Sequence, residues 1–209
     1  MTQLVEGFNR VPDVGLQVLG PTETLRVAAK DLILEFSEYD LNRIVADQVE
    51  IRKYNPQRYE MEQLDAVVYV NPERKIVVGY KDISRHEFWV RGHMPFAPLM
   101  PGVIMCEAAA QLASYFTQKL DLLGAQMVGF GGMEDVRFRD AVVPGDRLVI
   151  VCQLLKVRRG AMIVCRFQGF VRENLVVQGE IKGVPIPLGS LPGIPFEPPV
   201  SPPPPGWRP

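Results

Sequence analysis

Residues 92–111 read GHMPFAPLMPGVIMCEAAAQ, and this stretch carries most of the information about the architecture of the chain. From Gly102 to about Lys119 nearly every residue is apolar or small, good helix formers dominate, and no proline interrupts the run. A helix that is apolar on all sides is a buried helix, and at about 1.5 Å per residue it would be roughly 25 Å long. The sequence therefore predicts a helix through the core of a small domain. The run is too short, and too often interrupted by polar residues, to predict a membrane span.

Few polar side chains occur in this helix, and the first of them is a carboxylate. Glu107 and Gln111 are four residues apart, so they lie on the same face. A buried carboxylate is costly unless it has a partner or a chemical task, and His93, shortly before the helix, offers a proton-transfer partner. The alternative is a structural polar stripe in which Gln111 only satisfies Glu107. For Gln111 by itself we favour that structural role over a direct chemical one.

The segment before the helix is predicted to be rigid. Gly92 precedes His93, and three prolines follow it, which indicates a chain crossing that is neither helix nor strand. Pro101 suits the first turn of a helix. The free N–H groups of Gly102 and Val103 would then carry the positive end of the helix dipole. These groups form a candidate oxyanion site, in which donors are in place before charge develops.

Several β-branched runs bounded by turn residues occupy much of the remaining chain. Two of them, 66–70 and 75–80, flank a four-residue turn and predict a hairpin. Three more, 148–155, 162–171 and 175–184, predict an antiparallel meander. One long helix with about five or six strands places the chain in the α+β class.

Composition and motifs argue against several classes of function. The chain has 209 residues and a formal net charge of −1, which does not favour bulk binding of nucleic acid. It has no P-loop, no GxGxxG motif, no paired CxxC motif and only two histidines, so we predict neither a cofactor nor a metal site. Three cysteines without regular spacing are typical of reduced thiols. With no secretion pattern at the start, we expect a cytoplasmic protein. Cys106, inside the helix, is interpreted as core packing rather than as a nucleophile.

The two ends of the chain differ from its middle. Residues 1–47 form a predicted N-terminal extension, in which 25–47 has the pattern of a helix or an extra strand. For this extension we favour a packing role over a second activity. Residues 48–186 form the predicted main domain. Residues 187–209 are a proline-rich, extended tail, for which we favour a plain tail over a role in partner recognition.

The stretch 92–111 resembles the motif of the beta-hydroxyacyl-acyl carrier protein dehydratases of the FabZ and FabA type. That family has a Gly-His-Phe-Pro-Gly-x-Pro-x-Met-Pro-Gly run, followed by a helix with Glu (FabZ type) or Asp (FabA type) five residues after the last glycine. Here Glu107 falls five residues after Gly102, which favours the FabZ branch. Blocks at 55–59, 136–139 and 142–146 are also similar to the family's, so the resemblance covers residues from about 50 to 185.

The resemblance implies the hot-dog fold, in which a curved antiparallel sheet wraps a long central helix and two protomers pair. Each active site of that family takes its histidine from one chain and its acid from the other. The implied activity is the dehydration of a 3-hydroxyacyl-acyl carrier protein in type II fatty acid synthesis. His93 would take the C2 proton, and Glu107, aided by Gln111, would protonate the leaving hydroxyl. The Gly102 N–H would bind the thioester oxygen, and Tyr59 would gate the substrate.

The resemblance also implies partners. Acyl carrier protein would bring the phosphopantetheine-linked substrate, and candidate docking charges on positional grounds are Arg137, Arg139, Arg158 and Arg159. A solvated basic face is an equal alternative for each of these arginines. A homodimer with shared sites is implied. A hexamer is common in that family, and these residues leave the choice between dimer and hexamer open.

The chain departs from the family pattern in ways that concern the pocket. Met94 replaces a phenylalanine, and Phe96 with Ala97 replaces a Gly-x pair, so a bulky ring stands where the family has its smallest residue. The acyl chain length is therefore not predicted. Two alternative functions stay open: a hot-dog hydratase or thioesterase acting on coenzyme A thioesters, and a non-catalytic acyl-binding homologue. The presence of both His93 and Glu107 favours the dehydratase.

Overall fold

The computed structural model describes residues 31–187. Within this range seven strands form a single sheet: β1 is Ala46–Asp47, β2 is Ala66–Asn71, β3 is Ile76–Asp82, β4 is Met127–Phe138, β5 is Arg147–Arg158, β6 is Met162–Val171 and β7 is Asn174–Ile186. Helix α1 is Gln48–Ile51 and helix α2 is Gly102–Lys119. Two 3-10 turns, Phe36–Glu38 and Tyr59–Met61, lie in the connections. Of the predicted proline-rich tail, all but Pro187 lies outside the described residues.

Helix α2 has the bounds that the sequence predicts. Pro101 precedes its first residue, and the helix ends at Lys119, whose cation suits the negative end of the helix dipole. Ala109, Leu112 and Phe116 are completely buried in it. Burying a leucine or phenylalanine side chain contributes about 1.5–3 kcal/mol. The uniform apolarity of the run therefore places the helix at the centre of the main hydrophobic core.

The sheet is antiparallel throughout, with the strand order β1-β2-β3-β5-β6-β7-β4. Helix α2 contacts the five strands from β3 to β7, so the sheet wraps around it. The helix and sheet approach closely at Gly79, where an added Cβ would lie 2.9 Å from both the Ala66 carbonyl oxygen and a Leu112 methyl group. A long central helix held against a seven-stranded antiparallel sheet confirms the predicted α+β class and the hot-dog fold.

The predicted hairpin and meander are present as β2, β3, β5, β6 and β7, whereas β4 was not predicted. Strand β4 carries three glycines and three charged residues, and two irregularities break its register with β7. Such a composition hides the alternation by which a strand is recognised. Since β4 is last in the strand order, one of its edges has no neighbouring strand among the described residues.

The described part of the predicted N-terminal extension packs on the outer face of the sheet. Ile33 and Leu34 are buried there, in an apolar layer separate from the core around α2. Phe36 meets Phe170 edge to face at 5.1 Å between ring centroids. The Gln168 amide is the polar anchor: it accepts from the Ile33 N–H at 2.9 Å and donates to the Asp31 carbonyl at 3.0 Å. Residues 31–47 hold a 3-10 turn and the two-residue strand β1, and their contacts support a packing role.

In the part of the chain that the structure describes, no helix combines the length and the apolarity needed to cross a membrane.

Candidate active site

His93 lies in the crossing between β3 and α2, where the backbone holds it from both sides. Its N–H donates to the Trp89 carbonyl at 2.8 Å, and its carbonyl accepts from the Leu99 N–H at 2.9 Å. The ring Nδ1 lies 2.9 Å from the Leu99 carbonyl oxygen. A carbonyl oxygen only accepts, so Nδ1 must carry the proton. In the neutral ring Nε2 is then left with its lone pair, which is the state that a general base requires.

Glu107 lies on α2, one and a half turns into the helix, and is half-buried. Its Oε1 accepts a hydrogen bond from the Gln111 amide at 2.7 Å. The Gln57 amide approaches the same oxygen at 3.5 Å, at the limit of hydrogen-bond distance. Both amides therefore donate to Oε1, and Oε2 is the oxygen available for a further hydrogen bond.

Gln111 is itself held by the segment that leads into β2. Its Oε1 accepts from the buried Gln63 N–H at 2.9 Å, and its Nε2 donates to the Met61 carbonyl at 2.7 Å as well as to Glu107. The Asn55 amide donates to the Gln111 carbonyl at 2.9 Å. These contacts fix which end of the Gln111 amide faces the carboxylate. They give Gln111 a positioning role.

Asn55, Gln57 and Gln63 also belong to this amide network, although their sequence pattern indicates no role for them. Gln63 is completely buried, three residues before β2 begins at Ala66. Buried amides need partners. Their partner on α2 lies about 50 residues further along the chain, so pattern alone did not connect them.

A cavity of about 80 Å³ lies beside Glu107, between α2 and the strands β4, β6 and β7. Its wall is mainly apolar and includes Ala110, Val128, Ile163 and Ile181. A mainly apolar cavity with one carboxylate at its wall has the general composition of a small-molecule site. Tyr59 is not among the residues lining this cavity, so its role as a gate stays a prediction.

His93 and Glu107 are not joined to each other within one chain. In the described residues no hydrogen bond or ion pair links them. The apolar groove beside the crossing is lined by Leu99, Pro98 and Val143, and shares no residue with the cavity at Glu107. Phe96, the bulky substitution in the motif, is fully exposed and lines neither space.

The start of α2 presents backbone donors. In the described part of the chain the N–H groups of Gly102 and Val103 have no hydrogen-bond acceptor, while those of the next two residues bond to the Pro101 carbonyl. The Phe138 ring covers Gly102 so closely that an added Cβ would lie 2.6 Å from the ring. An alanine at this position would therefore have to displace the Phe138 ring, and the helix start is free to bind an anionic oxygen.

The four candidate docking arginines are all exposed but lie in two places. Arg137 pairs with Gln178 on β7, and the β5–β6 turn that carries Arg158 and Arg159 lies near Gly183. Five residues along a strand correspond to roughly 16 Å. Arg137 and Arg139 flank Phe138 at the helix start, whereas Arg159 forms an ion pair with Asp121 beyond the helix end.

The described cysteines do not form a reactive site. Cys106, Cys152 and Cys165 are free and buried. Burial raises the pKa of the Cys106 thiol to about 11, which leaves almost no thiolate at neutral pH. Its interpretation as core packing agrees with this. No group of three or more metal-ligating side chains is present in residues 31–187.

Known proteins resemble this chain over most of the described residues. The family model described as a FabA-like domain matches residues 55–180. The FabZ 3-hydroxyacyl-[acyl-carrier-protein] dehydratase of Desulfotalea psychrophila is 36% identical over 138 residues, which are 65% of this chain and 90% of the relative. The corresponding protein of Syntrophobacter fumaroxidans is 37% identical over 137 residues, again 65% and 90% of the two chains. That of Clostridium beijerinckii is 38% identical over 110 residues, 52% and 78%.

Among solved structures, the dehydratase heterocomplex of Xenorhabdus doucetiae is similar in fold. It has a TM-score of 0.55 and 19% sequence identity, and the match covers 68% of this chain and 93% of that one. At this identity the likeness concerns the fold alone.

Proposed function

Because the chain belongs to the FabA-like family, we propose that it removes water from a 3-hydroxyacyl thioester to give the trans-2-enoyl thioester, as a step of fatty acid biosynthesis. It is an enzyme of the dehydratase type. The substrate is carried on acyl carrier protein, in keeping with the names of its curated relatives. The match to several such relatives favours this function over a coenzyme A thioesterase or a non-catalytic acyl-binding protein.

The base in this proposal is His93, and the hydrogen bond from its Nδ1 to the Leu99 carbonyl is the observation that carries it. This bond orients the ring and selects the tautomer whose Nε2 accepts a proton. His93 takes the C2 proton, and negative charge moves onto the thioester oxygen. The N–H groups of Gly102 and Val103 bind that oxygen at the helix start, where the helix dipole favours negative charge.

The acid is Glu107. Its Oε1 is held by the Gln111 amide, so Oε2 carries the proton that goes to the 3-hydroxyl as the C3–O bond breaks. Water leaves, and the proton gained by His93 returns to Glu107 to restore both groups. General acid–base help of this kind contributes about a hundred- to ten-thousand-fold in rate.

The complete site is formed by two chains, with His93 of one protomer facing the partner's Glu107. The lack of a hydrogen bond or ion pair between the two residues within the described chain supports this. So do the exposed apolar side chains Phe130, Met133 and Phe138 on strand β4, whose outer edge is unpaired in the described sheet. Unpaired strand edges with apolar side chains are ready to pair with a second chain. The proposed assembly is at least a homodimer.

Acyl carrier protein is proposed to dock near the helix start. Arg137 and Arg139 are exposed and flank Phe138, which touches Gly102. Arg159 is engaged with Asp121 beyond the far end of the helix, so it is a weaker candidate. Docking by exposed arginines on an acidic carrier is weakened by salt. The buried, free cysteines support a reducing compartment, and we propose the cytoplasm.

The test is to follow the absorbance of the enoyl thioester while the protein acts on a 3-hydroxyacyl-acyl carrier protein. His93→Ala and Glu107→Gln should both lose turnover and keep the fold, because each removes a proton-transfer group. The exposed histidine of the chain provides a matched control, and His86→Ala should keep the wild-type rate. Near-normal turnover in His93→Ala would remove this residue from the mechanism.

A further inference from the structure

Lys81 is buried, although it carries a charge. It lies on β3 with 6% of its surface exposed, and it is the only charged residue among those buried within residues 31–187. Strand β3 is paired on both sides, with β2 and with β5, so Lys81 starts from a rigid backbone. Removing an ammonium group from water costs several kcal/mol unless a partner compensates. A lysine at this place therefore calls for a specific partner.

Glu87 is that partner. The Lys81 Nζ lies 3.4 Å from the Glu87 Oε1, and the two side chains are 8% and 11% exposed. The same carboxylate oxygen accepts from the N–H of Ser84 at 3.3 Å and from its hydroxyl at 3.2 Å. The pair thus closes the 84–87 turn onto the sheet. Asp65 lies near it: burial raises the pKa of Asp65, and the charge of Lys81 opposes the rise.

The 84–87 turn leads directly to His93. The Glu87 carbonyl accepts from the Val90 N–H at 3.0 Å. Trp89, between them, is buried, and its carbonyl accepts from both Gly92 at 3.0 Å and His93 at 2.8 Å. A short series of contacts therefore runs from the sheet, through the ion pair and the Trp89 backbone, to the backbone of the histidine.

We propose that the Lys81–Glu87 ion pair is a positioning device that sets the place and orientation of the His93 imidazole. Neither side chain touches the reacting atoms. An apolar pair of the same size would bury its surface equally well, but it would tolerate sliding of the turn. An ion pair in a dry surrounding holds one arrangement, because any other leaves a charge unpaired. The inference rests on the proposed role of His93 as the base.

The test compares three variants at a temperature where unfolding curves show each to be folded. Lys81→Met and Glu87→Gln each break the pair, and the double variant Lys81→Met/Glu87→Met replaces it by apolar groups of similar size. Arg74→Gln, which removes an exposed ion pair with Glu38, is the control. We expect kcat to fall between about tenfold and about a hundredfold in all three variants, with KM unchanged, since a displacement near 1 Å has this effect. The control should behave as wild type.

Two readouts separate positioning from stability. The double variant should regain the thermal stability lost by the single variants, because an apolar pair is a good substitute for a buried ion pair, but it should not regain kcat. Nitrogen NMR of the imidazoles should show His93 moving from the Nδ1–H tautomer toward a mixture. The chain has two histidines, so His86→Ala assigns the signals.

Recovery of kcat together with stability in the double variant would overturn the proposal, and so would wild-type kcat in folded Glu87→Gln. The nitrogen signals do not depend on turnover. If His93→Ala proved active, the proposed function of His93 would fail, while the tautomer readout would still decide whether the ion pair orients its ring.

Discussion

Gln111 offers the sharpest test of the amide network, through replacement by methionine. Methionine keeps most of the volume and the helix propensity, but it removes the hydrogen bonds to Glu107, Met61 and Gln63. Gln63 is completely buried, so its N–H would be left without an acceptor. An unsatisfied buried donor costs about 1–3 kcal/mol. The loss of each of the other two hydrogen bonds, to Glu107 and to Met61, costs about 0.5–1.5 kcal/mol. We expect the free energy of unfolding to fall by about 2–6 kcal/mol.

The same helix contains a matched control. Gln118 lies seven residues further along, and its amide makes one exposed hydrogen bond, to the Gln126 carbonyl at 2.9 Å. Gln118→Met should therefore lower the free energy of unfolding by less than about 1 kcal/mol. Both variants are compared with wild type by urea unfolding followed by circular dichroism, at one protein concentration because the proposed dimer would make stability depend on concentration.

The result that would refute the reasoning is a Gln111→Met variant no less stable than Gln118→Met. The network around Gln111 would then add nothing beyond packing. Turnover supplies a second measure: Gln111→Met should lose kcat, since the Glu107 carboxylate is no longer oriented, and Gln118→Met should not.

Three other predictions concern single groups. Gly102→Ala should lower kcat by about tenfold or more, by obstructing the proposed oxyanion donors. Its stability should fall by only about 1 kcal/mol, because the half-exposed Phe138 ring can move. Unchanged kcat would argue against this oxyanion site. Burial raises the pKa of Asp65 above its ordinary 3.8, so its contribution to stability is present at low pH and is lost as the pH rises through the folded-state pKa. Asp65→Asn should therefore gain stability relative to wild type as the pH rises above 3.8, which urea unfolding at a series of pH values would measure. A difference in the free energy of unfolding that does not change with pH would contradict this. The three buried thiols should not react with Ellman's reagent at pH 8 in the folded protein, since burial keeps the reagent out and raises the pKa of Cys106 to about 11. All three thiols should react in urea. One thiol that reacts fast without urea would contradict this.

The helix and most strands could be predicted because each depends on a local pattern. The apolar run from Gly102 to Lys119 is long enough to be a buried helix and nothing else, and its bounds agree with the structure. Strand β4 was not predicted, because its glycines and bulges obscure the alternation of apolar and polar side chains. It takes its strand conformation from pairing with β7, which is a tertiary contact.

Some residues of the candidate site could likewise be predicted from a local pattern, and others could not. His93, Glu107 and Gly102 stand in one short motif, so sequence reasoning found them together. Gln57 and Gln63 lie about 50 residues before their partners on α2, and nothing local marks them as neighbours of Glu107. The four candidate arginines show the reverse: the sequence grouped them on positional grounds, and the sheet places them in two separate regions.

By itself, the sequence determined the central helix, the α+β class and the hydrophobic strands, and it supplied the candidates proposed as acid, base and backbone donor. These properties follow from composition and spacing along a single segment. The tertiary structure decided which oxygen of Glu107 is held, which nitrogen of His93 carries the proton, and how the crossing is attached to the sheet. Each of these depends on hydrogen bonds or ion pairs with particular neighbours, and for Glu107 those neighbours come together only when distant segments pack around the helix.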